Sequence, residues 1–247
     1  MVITIACYLL MGLVTVVYCL LAVFPLAIAV LFCGFSRKRI GNIMRFFILW
    51  YGRAVVRIAL RPFAGVEFED RSPEQNGGIF ICNHRSASDP FLVSSVAVRR
   101  APAQVVNRWP MRLPFFGFFA GIGEYLDITS MNYEQAKERA AYLLEQHVPL
   151  FVFPEGTRSG SREMNQFHGT FFRIAKELSC PLIPVAITGN ERIPSRDYRI
   201  TCGRIRIRKL SPVPMEVIAE LPPFQLKNHV RRLLMDETAK MDAESGS

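Results

Sequence analysis

The sequence predicts an α/β fold: a mostly parallel sheet flanked by helices, preceded by an N-terminal apolar membrane segment of one helix or two. Beyond residue 78, short apolar runs of strand length alternate with longer segments of helical period, an order typical of parallel sheets. Near the N-terminus, residues 2–35 carry no charged side chain. The 247 residues suffice for one domain of about 150 to 200 residues and an appendage. We therefore place membrane-anchoring and interfacial helices in residues 1–66 and the α/β domain in residues 67–247.

The uncharged run is longer than the roughly 20 apolar residues that cross a bilayer as a helix, and Pro25 lies inside it. One tilted or kinked span fits, and so do two shorter helices that enter and leave the same leaflet. The Ala27-Ile28-Ala29 stretch resembles a signal-peptide cleavage site. Signal peptides begin with positive charges, however, whereas here Arg37 and its basic neighbours follow the run. We expect the segment to be retained in the protein.

The positive charge of the chain is concentrated next to the membrane segment. Residues 1–66 hold seven of the 30 basic residues and none of the 21 acidic ones. Basic residues beside an apolar segment favour contact with anionic lipid and a cytoplasmic side. Because this charge is interleaved with the apolar stretch Ile43 to Leu60, it predicts membrane lipids and not nucleic acid as the partner.

The same basic segment has the period of an amphipathic helix. Apolar residues recur at three- and four-residue steps from Arg37 onward, and the Arg61-Pro62 pair ends the pattern. The helix either lies at the membrane surface or packs on the domain.

The cysteines indicate neither a disulfide framework nor a metal site. None has CxxC spacing, and three lie in the apolar run. We therefore predict no metal and a domain that faces a reducing compartment. The six residues are Cys7, Cys19, Cys33, Cys82, Cys180 and Cys202.

The remaining elements follow in chain order after a predicted turn at residues 71–78. We predict strands at Gly78–Cys82, Gln104–Asn107, Gly123–Ile128, Leu150–Phe153 and Leu182–Ile187, a half-exposed strand at Arg204–Arg208, and helices at Pro90–Val98, Asn132–His147, Thr170–Leu178 and Phe224–Met241. The clearest of these is the helix at Asn132–His147, because Asn132 as N-cap and Gln135 three residues later have the pattern of a capping box.

Polar side chains follow the strand at Gly78–Cys82, at the end where α/β sheets place their sites. His84 and Asp89 are five residues apart, and Pro90 starts the next helix. A carboxylate that accepts from one imidazole nitrogen leaves the other nitrogen to act as a general base. The alternative is a His and an Asp that only close a loop.

A second polar cluster, Phe153 to Ser159, also follows a strand. Gly156 beside Glu155, Thr157 and Arg158 is typical of a loop that binds an oxyanion or a phosphate, although an ordinary polar turn has the same composition. A third segment, Pro181 to Val185, is an apolar strand that either lines an acyl groove or is simply buried.

Three ordered motifs resemble the glycerophospholipid acyltransferase family, in particular its bacterial 1-acylglycerol-3-phosphate type. They are Asn83-His84-x-Ser86-x-x-Asp89, then Phe153-Pro154-Glu155-Gly156-Thr157-Arg158-Ser159, then Ile183-Pro184-Val185. The resemblance implies acyl transfer from a thioester, acyl-CoA or acyl carrier protein, to a lysophospholipid hydroxyl, giving phosphatidic acid without metal or cofactor. It implies that His84 and Asp89 are catalytic and that Asn83, Ser86, Glu155, Gly156, Thr157 and Arg158 bind substrate. It also implies a bacterial inner-membrane enzyme with a cytoplasmic catalytic domain.

The chain departs from this family at two positions. Ile128 stands where an Arg usually helps to hold the acceptor phosphate, and His168 stands where a Lys is frequent. Phosphate binding would then depend on Arg158, with Arg162 or Arg173 as helpers. The departure leaves open a phosphate-free acceptor such as an amino-acid lysolipid.

Two other classes of function also stay open. A serine lipid hydrolase would use Ser86 or Ser88, but the site has no Gly-x-Ser-x-Gly elbow. A catalytically silent membrane scaffold is disfavoured by the intact His84 and Asp89.

A basic strip near the C-terminus fits either a docking surface for an acidic carrier protein or headgroups, or a solvated strand face. Its residues are Arg192, Arg196, Arg199, Arg204, Arg206, Arg208 and Lys209.

Overall fold

The structure is a computed structural model that describes residues 1–32, 36–75, 77–112 and 116–244. Within these residues, seven strands form one sheet. The strands are β1 (Ala64–Asp70), β2 (Ile79–Cys82), β3 (Ala103–Val106), β4 (Leu126–Asp127), β5 (Leu150–Val152), β6 (Leu182–Thr188) and β7 (Gly203–Lys209). Their order is β1-β7-β6-β2-β5-β3-β4, and every neighbouring pair is parallel except β6 with β7. The predicted α/β fold with a mostly parallel sheet is confirmed.

Helices precede the sheet, flank it and close the chain. They are α1 (Val2–Phe32), α2 (Arg37–Ala54), α3 (Asp89–Leu92), α4 (Arg108–Met111), α5 (Phe116–Ile122), α6 (Tyr133–Glu145), α7 (Thr170–Glu177), α8 (Met215–Glu220) and α9 (Pro223–Glu244), with a π-helical segment at Val55–Leu60 and a 3₁₀ turn at Val93–Ser95. The predicted helices that became α6, α7 and α9 agree with these bounds within three residues. The capping box of α6 is confirmed, with Asn132 and Gln135 each accepting from the other's backbone N–H.

The central strand β2 lies between β6 and β5, parallel to both. Its four apolar residues are all buried, as expected of a strand covered on both faces. In the register, Cys82 pairs with Val185 and Ile81 with Val152. The loops that leave the carboxyl ends of these three strands therefore emerge side by side, and this edge of the sheet carries the polar motifs.

Aromatic stacking anchors the middle of the sheet. Phe80 on β2 and Phe151 on β5 are fully buried, and their rings stack with centroids 4.7 Å apart. Burying an aromatic side chain of this size stabilises the fold by roughly 1.5–3 kcal/mol. The strands that present the motifs are thereby held rigidly.

The N-terminal apolar segment is one helix, α1, which continues through Pro25. It runs antiparallel to α2 and the π-helical segment: Tyr18 donates to the carbonyl of Phe47 at 2.7 Å, and the Cys7 thiol lies 3.7 Å from the carbonyl of Ala59. The alternative of two short helices is therefore wrong for residues 2–32, while Cys33 and the rest of the apolar run lie outside the described residues.

Helix α1 is long and apolar enough to cross a membrane, and only 6% of its most apolar 18-residue window is buried. An apolar helix left uncovered by protein indicates membrane association.

Helix α2 packs on the domain on one side. Arg45 is completely buried, donating to the carboxylate of Glu124 at 2.9 Å and to the carbonyl of Gly123 at 3.0 Å. On the other side, Phe46 and Trp50 are exposed. The helical character predicted from Arg37 to Pro62 is confirmed, and so is packing on the domain, whereas its position at a membrane surface stays a prediction.

The predicted half-exposed strand at the C-terminus lies inside the sheet as β7, between β6 and β1. Arg208 and Lys209 are buried because each meets an acidic side chain of β1: Arg208 pairs with Glu69, and Lys209 pairs with Asp70 at 3.0 Å. Strand β1, whose charged residues alternate with Val66 and Phe68, was not predicted from the sequence.

This pairing corrects the interpretation of the basic strip. Arg206 pairs with Glu67 at 3.4 Å and with Glu244 at 3.2 Å, so from Arg206 onward the strip is neither a free docking surface nor a solvated face, whereas the side chain of Arg204 is 62% exposed. Its members on the β6–β7 loop, Arg192, Arg196 and Arg199, are exposed.

Two local predictions were too long. The strand predicted at Gly123–Ile128 has only two residues, because Glu124 adopts a left-handed backbone conformation (φ 62°) and forms a turn. The helix predicted at Pro90–Val98 ends as a 3₁₀ turn at Ser95. The residues at 71–75 and 77–78 form the predicted turn, and Asn76 lies outside the described residues. The boundary at residue 66 stays a prediction, although β1 already begins at Ala64.

Candidate active site

His84 and Asp89 face each other in the loop that leaves β2. Nδ1 of His84 lies 2.8 Å from Oδ2 of Asp89. An ionised carboxylate can only accept, so the neutral tautomer of His84 that fits this contact has its proton on Nδ1 and a lone pair on Nε2. The His84 side chain is 17% exposed, whereas Asp89 is completely buried. The arrangement gives one oriented imidazole that keeps a small part of its surface exposed.

Asp89 receives further hydrogen bonds from two directions. The backbone N–H of Ser86 donates to Oδ2 at 2.8 Å, and the side-chain amide of Asn190, from the loop after β6, donates to Oδ1. Both carboxylate oxygens are therefore used, which compensates for burying the charge.

The second motif loop supports His84 from the other side. The imidazole packs on the ring of Phe153 with centroids 4.7 Å apart, and the backbone N–H of His84 donates to Oε1 of Glu155 at 2.6 Å. In return, the N–H of Ser159 donates to the carbonyl of His84 at 2.7 Å. The structure thus joins the two motifs that the sequence analysis had treated separately.

Glu155 acts as a bridge inside the protein. Its second oxygen accepts from the backbone N–H of Asn165 at 2.8 Å, and the side chain is buried. Burial raises the pKa of this carboxyl above its ordinary value, while the backbone donors of His84 and Asn165 oppose the shift. Both carboxylate oxygens of Glu155 are occupied by backbone groups.

Gly156 adopts a left-handed conformation (φ 71°), and a Cβ there would lie 3.0 Å from the His168 ring. Its carbonyl accepts from the side-chain amide of Asn107, and its N–H donates to the carbonyl of Phe153 at 3.1 Å. The N–H of Gly123 likewise donates within a turn, to Phe119 at 2.8 Å. Neither of these two backbone amides is therefore free to donate to an oxyanion in this geometry.

Arg158 lies beside the loop that joins β6 and β7. Its guanidinium lies 4.5 Å from the centre of the Tyr198 ring and donates to the carbonyl of Arg196 at 3.1 Å. A guanidinium has five N–H donors in a planar fork, so this bond leaves donors that can reach an anion. Thr157 is exposed next to it.

Asn83 and Ser86 are buried and bonded within the protein. The Asn83 amide makes two hydrogen bonds to the backbone of Ile187 on β6, at 2.7 and 2.9 Å. The Ser86 hydroxyl donates to the carbonyl of Pro194 at 2.7 Å. These side chains fix the loop after β2 against strand β6 and the loop that follows β6, and they do not face an open space.

Arg85, between His84 and Ser86, ties the loop to the C-terminal helix. Its buried guanidinium makes a two-pronged ion pair with Asp242 of α9 at 2.7 and 3.0 Å. It also donates to the carbonyl of Arg162 at 3.3 Å.

The position of Ile128 does not leave a gap for a cation. Its side chain packs against the hydrophobic core. Of the other candidate helpers, Arg173 pairs with Glu177 at 2.8 Å and lies over the ring of Tyr133, whereas the exposed Arg162 lies 3.4 Å from Glu191.

Two residues of this site were not predicted, Arg85 and Asn190. Asn190 follows the end of a predicted strand, so the rule that located His84 at a strand end would have found it too. Within the described residues, no group of three or more His, Cys, Asp or Glu could hold a metal ion.

The fold and this polar edge define a class of protein. A sequence model of the acyltransferase family matches residues 64–188, about half of the chain. The chain belongs to the acyltransferase family and is an O-acyltransferase.

Relatives narrow the resemblance further. The 1-acyl-sn-glycerol-3-phosphate acyltransferase of Salmonella typhimurium is 26% identical over 240 residues, covering 94% of this chain and 93% of that protein. The protein of the same name from Escherichia coli K12 is 24% identical over 239 residues, with the same coverage. The crystal structure of the 1-acyl-sn-glycerophosphate (LPA) acyltransferase PlsC from Thermotoga maritima has a TM-score of 0.75 at 20% identity, covering 98% of this chain and 95% of that one. The last comparison shows a shared fold.

Proposed function

We propose that the chain transfers a fatty acyl group from an acyl thioester to the free hydroxyl of 1-acylglycerol-3-phosphate, giving phosphatidic acid. The observation that carries the proposal is the hydrogen bond between His84 and the buried Asp89 at the strand edge. Relatives named for this reaction, similar over 94% of the chain, support the choice of acceptor.

Asp89 orients His84, and Nε2 of His84 takes the proton of the acceptor hydroxyl as its oxygen attacks the thioester carbonyl. The carbon–sulfur bond breaks, and the proton returns from His84 to the leaving thiolate. Asp89 stabilises the imidazolium that forms in between. A general base in this position contributes about 10²- to 10⁴-fold to the rate.

The buried contacts suggest two kinds of role for the predicted substrate-binding residues. Asn83, Ser86 and Glu155 position the loop of His84 through backbone groups. Gly156 gives the neighbouring turn its left-handed conformation. Arg158, with Thr157 exposed beside it, is the residue that we propose to bind the acceptor phosphate, since its fork fits a phosphate.

The acyl donor and the location of the protein are also part of the proposal. The co-substrate is acyl-CoA or acyl carrier protein, and neither a metal nor another cofactor takes part. Helix α1 anchors the protein in the bacterial inner membrane, where both lipids partition, and the catalytic domain faces the cytoplasm.

One observation favours a second acceptor class. Ile128 packs in the core where the family usually has an Arg for the phosphate, so the site has one cation fewer. A phosphate-free acceptor, such as an amino-acid lysolipid, would need only the hydroxyl and His84.

The serine hydrolase alternative has little support in the geometry. Ser86 and Ser88 are buried, and the Ser86 hydroxyl is bonded to a carbonyl, so neither presents a nucleophile. Cys82 is no substitute, because burial and the nearby Asp89 raise the pKa of its thiol well above the usual range.

The test is acyl transfer by purified protein in mixed micelles, from palmitoyl-CoA and from palmitoyl-acyl carrier protein to lysophosphatidic acid. The wild type is expected to form phosphatidic acid, and His84→Ala to lose about 10²-fold or more. His229→Ala, the same change on α9, is the matched control and keeps the activity. Wild-type protein that acylates only a phosphate-free lysolipid would replace the proposed acceptor by the second class. Labelling of the wild type by a serine-directed fluorophosphonate would support the hydrolase.

A further inference from the structure

Asn190 lies directly behind the catalytic pair. It comes two residues after β6, beyond the residues matched by the family model. Its side chain is completely buried, and its amide donates to Oδ1 of Asp89, the oxygen that His84 does not use. A carboxylate only accepts, so the nitrogen of the amide must face Asp89.

Asn83, the other buried asparagine of this edge, shows what a structural role looks like. Its oxygen and its nitrogen both bond to the backbone of Ile187, so its amide is satisfied at both ends. In Asn190, Oδ1 has no hydrogen-bond partner among the described residues although it is buried. A buried polar atom without a partner destabilises the fold, so its presence calls for an explanation. The hydrogen bond to Asp89 provides this explanation, because it requires the amide nitrogen of Asn190 to face the carboxylate and leaves the amide oxygen without a partner.

We propose that Asn190 is a positioning residue of the acyl transfer, completing a His84–Asp89–Asn190 relay in which it holds the carboxylate of Asp89 against the imidazole. This inference rests on the proposed function of His84 as the general base. With the Ser86 amide and His84 on Oδ2 and Asn190 on Oδ1, the carboxylate cannot rotate away from Nδ1. Asn190 has no exposed surface, so its effect reaches the substrates only through Asp89.

This arrangement predicts a separation of kinetic constants. In Asn190→Leu, which keeps the branch at Cγ but has no hydrogen-bonding atom, Asp89 loses the donor on Oδ1 and its orientation. Losing a hydrogen bond to a charged group corresponds to a decrease in kcat of about 10- to 100-fold. The KM values for the acyl thioester and the lysolipid are expected to stay within about twofold of wild type, since no bound substrate touches Asn190.

A second variant tests the hydrogen bond itself. In Asn190→Asp, the new carboxyl lies beside Asp89, and two carboxyls so close share a proton up to a raised pKa. While protonated, the new carboxyl can donate to Asp89 as the amide does; once ionised, it repels Asp89. The activity of Asn190→Asp relative to wild type is therefore expected to be highest at low pH and to fall as the pH rises.

The experiment measures kcat and KM of full-length wild type, Asn190→Leu, Asn190→Asp, His84→Ala and Asn132→Ala between pH 5.5 and about 9, with the Tm of each. Asn132→Ala removes the N-cap of α6, far from the site in sequence, and controls for destabilisation: it lowers Tm and leaves kcat unchanged. A loss of kcat at unchanged KM in Asn190→Leu, with the pH dependence of Asn190→Asp, supports the inference.

Wild-type kcat in Asn190→Leu, a loss confined to KM, or parallel pH profiles for wild type and Asn190→Asp would overturn it. Should wild type and His84→Ala be equally active, the proposed general base itself fails, a result that does not depend on Asn190.

Discussion

Asp242 on α9 is expected to determine both the stability of the catalytic loop and its activity. The perturbation is Asp242→Asn, which keeps the shape of the side chain and one acceptor oxygen but removes the charge. Arg85, its partner, is 2% exposed and donates two hydrogen bonds to this carboxylate. The variant leaves a buried guanidinium with one of these two bonds.

The magnitude follows from these contacts. Removing one partner of a buried ion pair costs about 3–5 kcal/mol, and one hydrogen bond to a charged group contributes about 1.5–3 kcal/mol. The carboxylate of Glu191, 3.7 Å from Arg85, offsets part of the lost charge. We therefore expect Asp242→Asn to lower the free energy of unfolding by about 1.5–3 kcal/mol, a decrease in Tm of about 3–12 °C for a chain of this size.

The loop itself carries the second effect. Arg85 is the neighbour of His84, so a looser guanidinium lets His84, the proposed general base, move from its position, and a displacement of about 1 Å costs up to about 100-fold in rate. Thermal unfolding in detergent and the acyl-transfer rate measure the two effects on the same sample. Asp236→Asn, an exposed position on the same helix, is the control and should change stability by no more than about 0.5 kcal/mol. An unchanged Tm and an unchanged acyl-transfer rate in Asp242→Asn would refute the proposed role of the Arg85–Asp242 ion pair.

Two further predictions concern the interior of the site and the sheet. The pKa of Glu155 is raised in the folded protein, so its stabilising contribution is fully present below the ordinary carboxyl pKa of 4.5 and is lost as the pH rises through the higher folded value. The difference in Tm between wild type and Glu155→Gln should therefore shrink as the pH rises above 4.5. A constant or growing difference would contradict this cause. Phe80→Ala should lower the free energy of unfolding by about 3–5 kcal/mol, because it leaves a cavity against Phe151 in the middle of the sheet. A denaturant titration that shows a decrease of less than about 1 kcal/mol would mean that the surrounding side chains fill this cavity.

Much of the site could be predicted from local pattern. The pairing of His84 with Asp89 spans only five residues and lies where a strand ends, so a turn suffices to bring them together. The cap of α6 is equally local, since Asn132 and Gln135 are three residues apart.

Other contacts join distant parts of the chain. Glu155 meets His84 across 71 residues, Asn190 meets Asp89 across 101, and Asp242 meets Arg85 across 157. Each depends on which strands are neighbours, and hydrophobic periodicity does not encode strand order.

The charges of β7 show the same limit. In the sequence, the stretch Arg204 to Arg208 alternates arginine with isoleucine, which predicts a half-exposed strand. Parallel pairing with β1 places Glu67, Glu69 and Asp70 in register with the basic residues from Arg206 onward, which turns a basic strip into buried and half-buried ion pairs.

Composition and short-range spacing are enough to predict the α/β class, the apolar N-terminal helix and the positions of the His84 and Glu155 loops. The three-dimensional fold is needed to show that the two loops support each other, that Asn190 and Arg85 hold them, and that the basic residues of β7 pair with acidic ones. The physical reason is that these contacts arise when strands assemble in the order β7-β6-β2-β5, which places distant residues at one edge and buries their charges together.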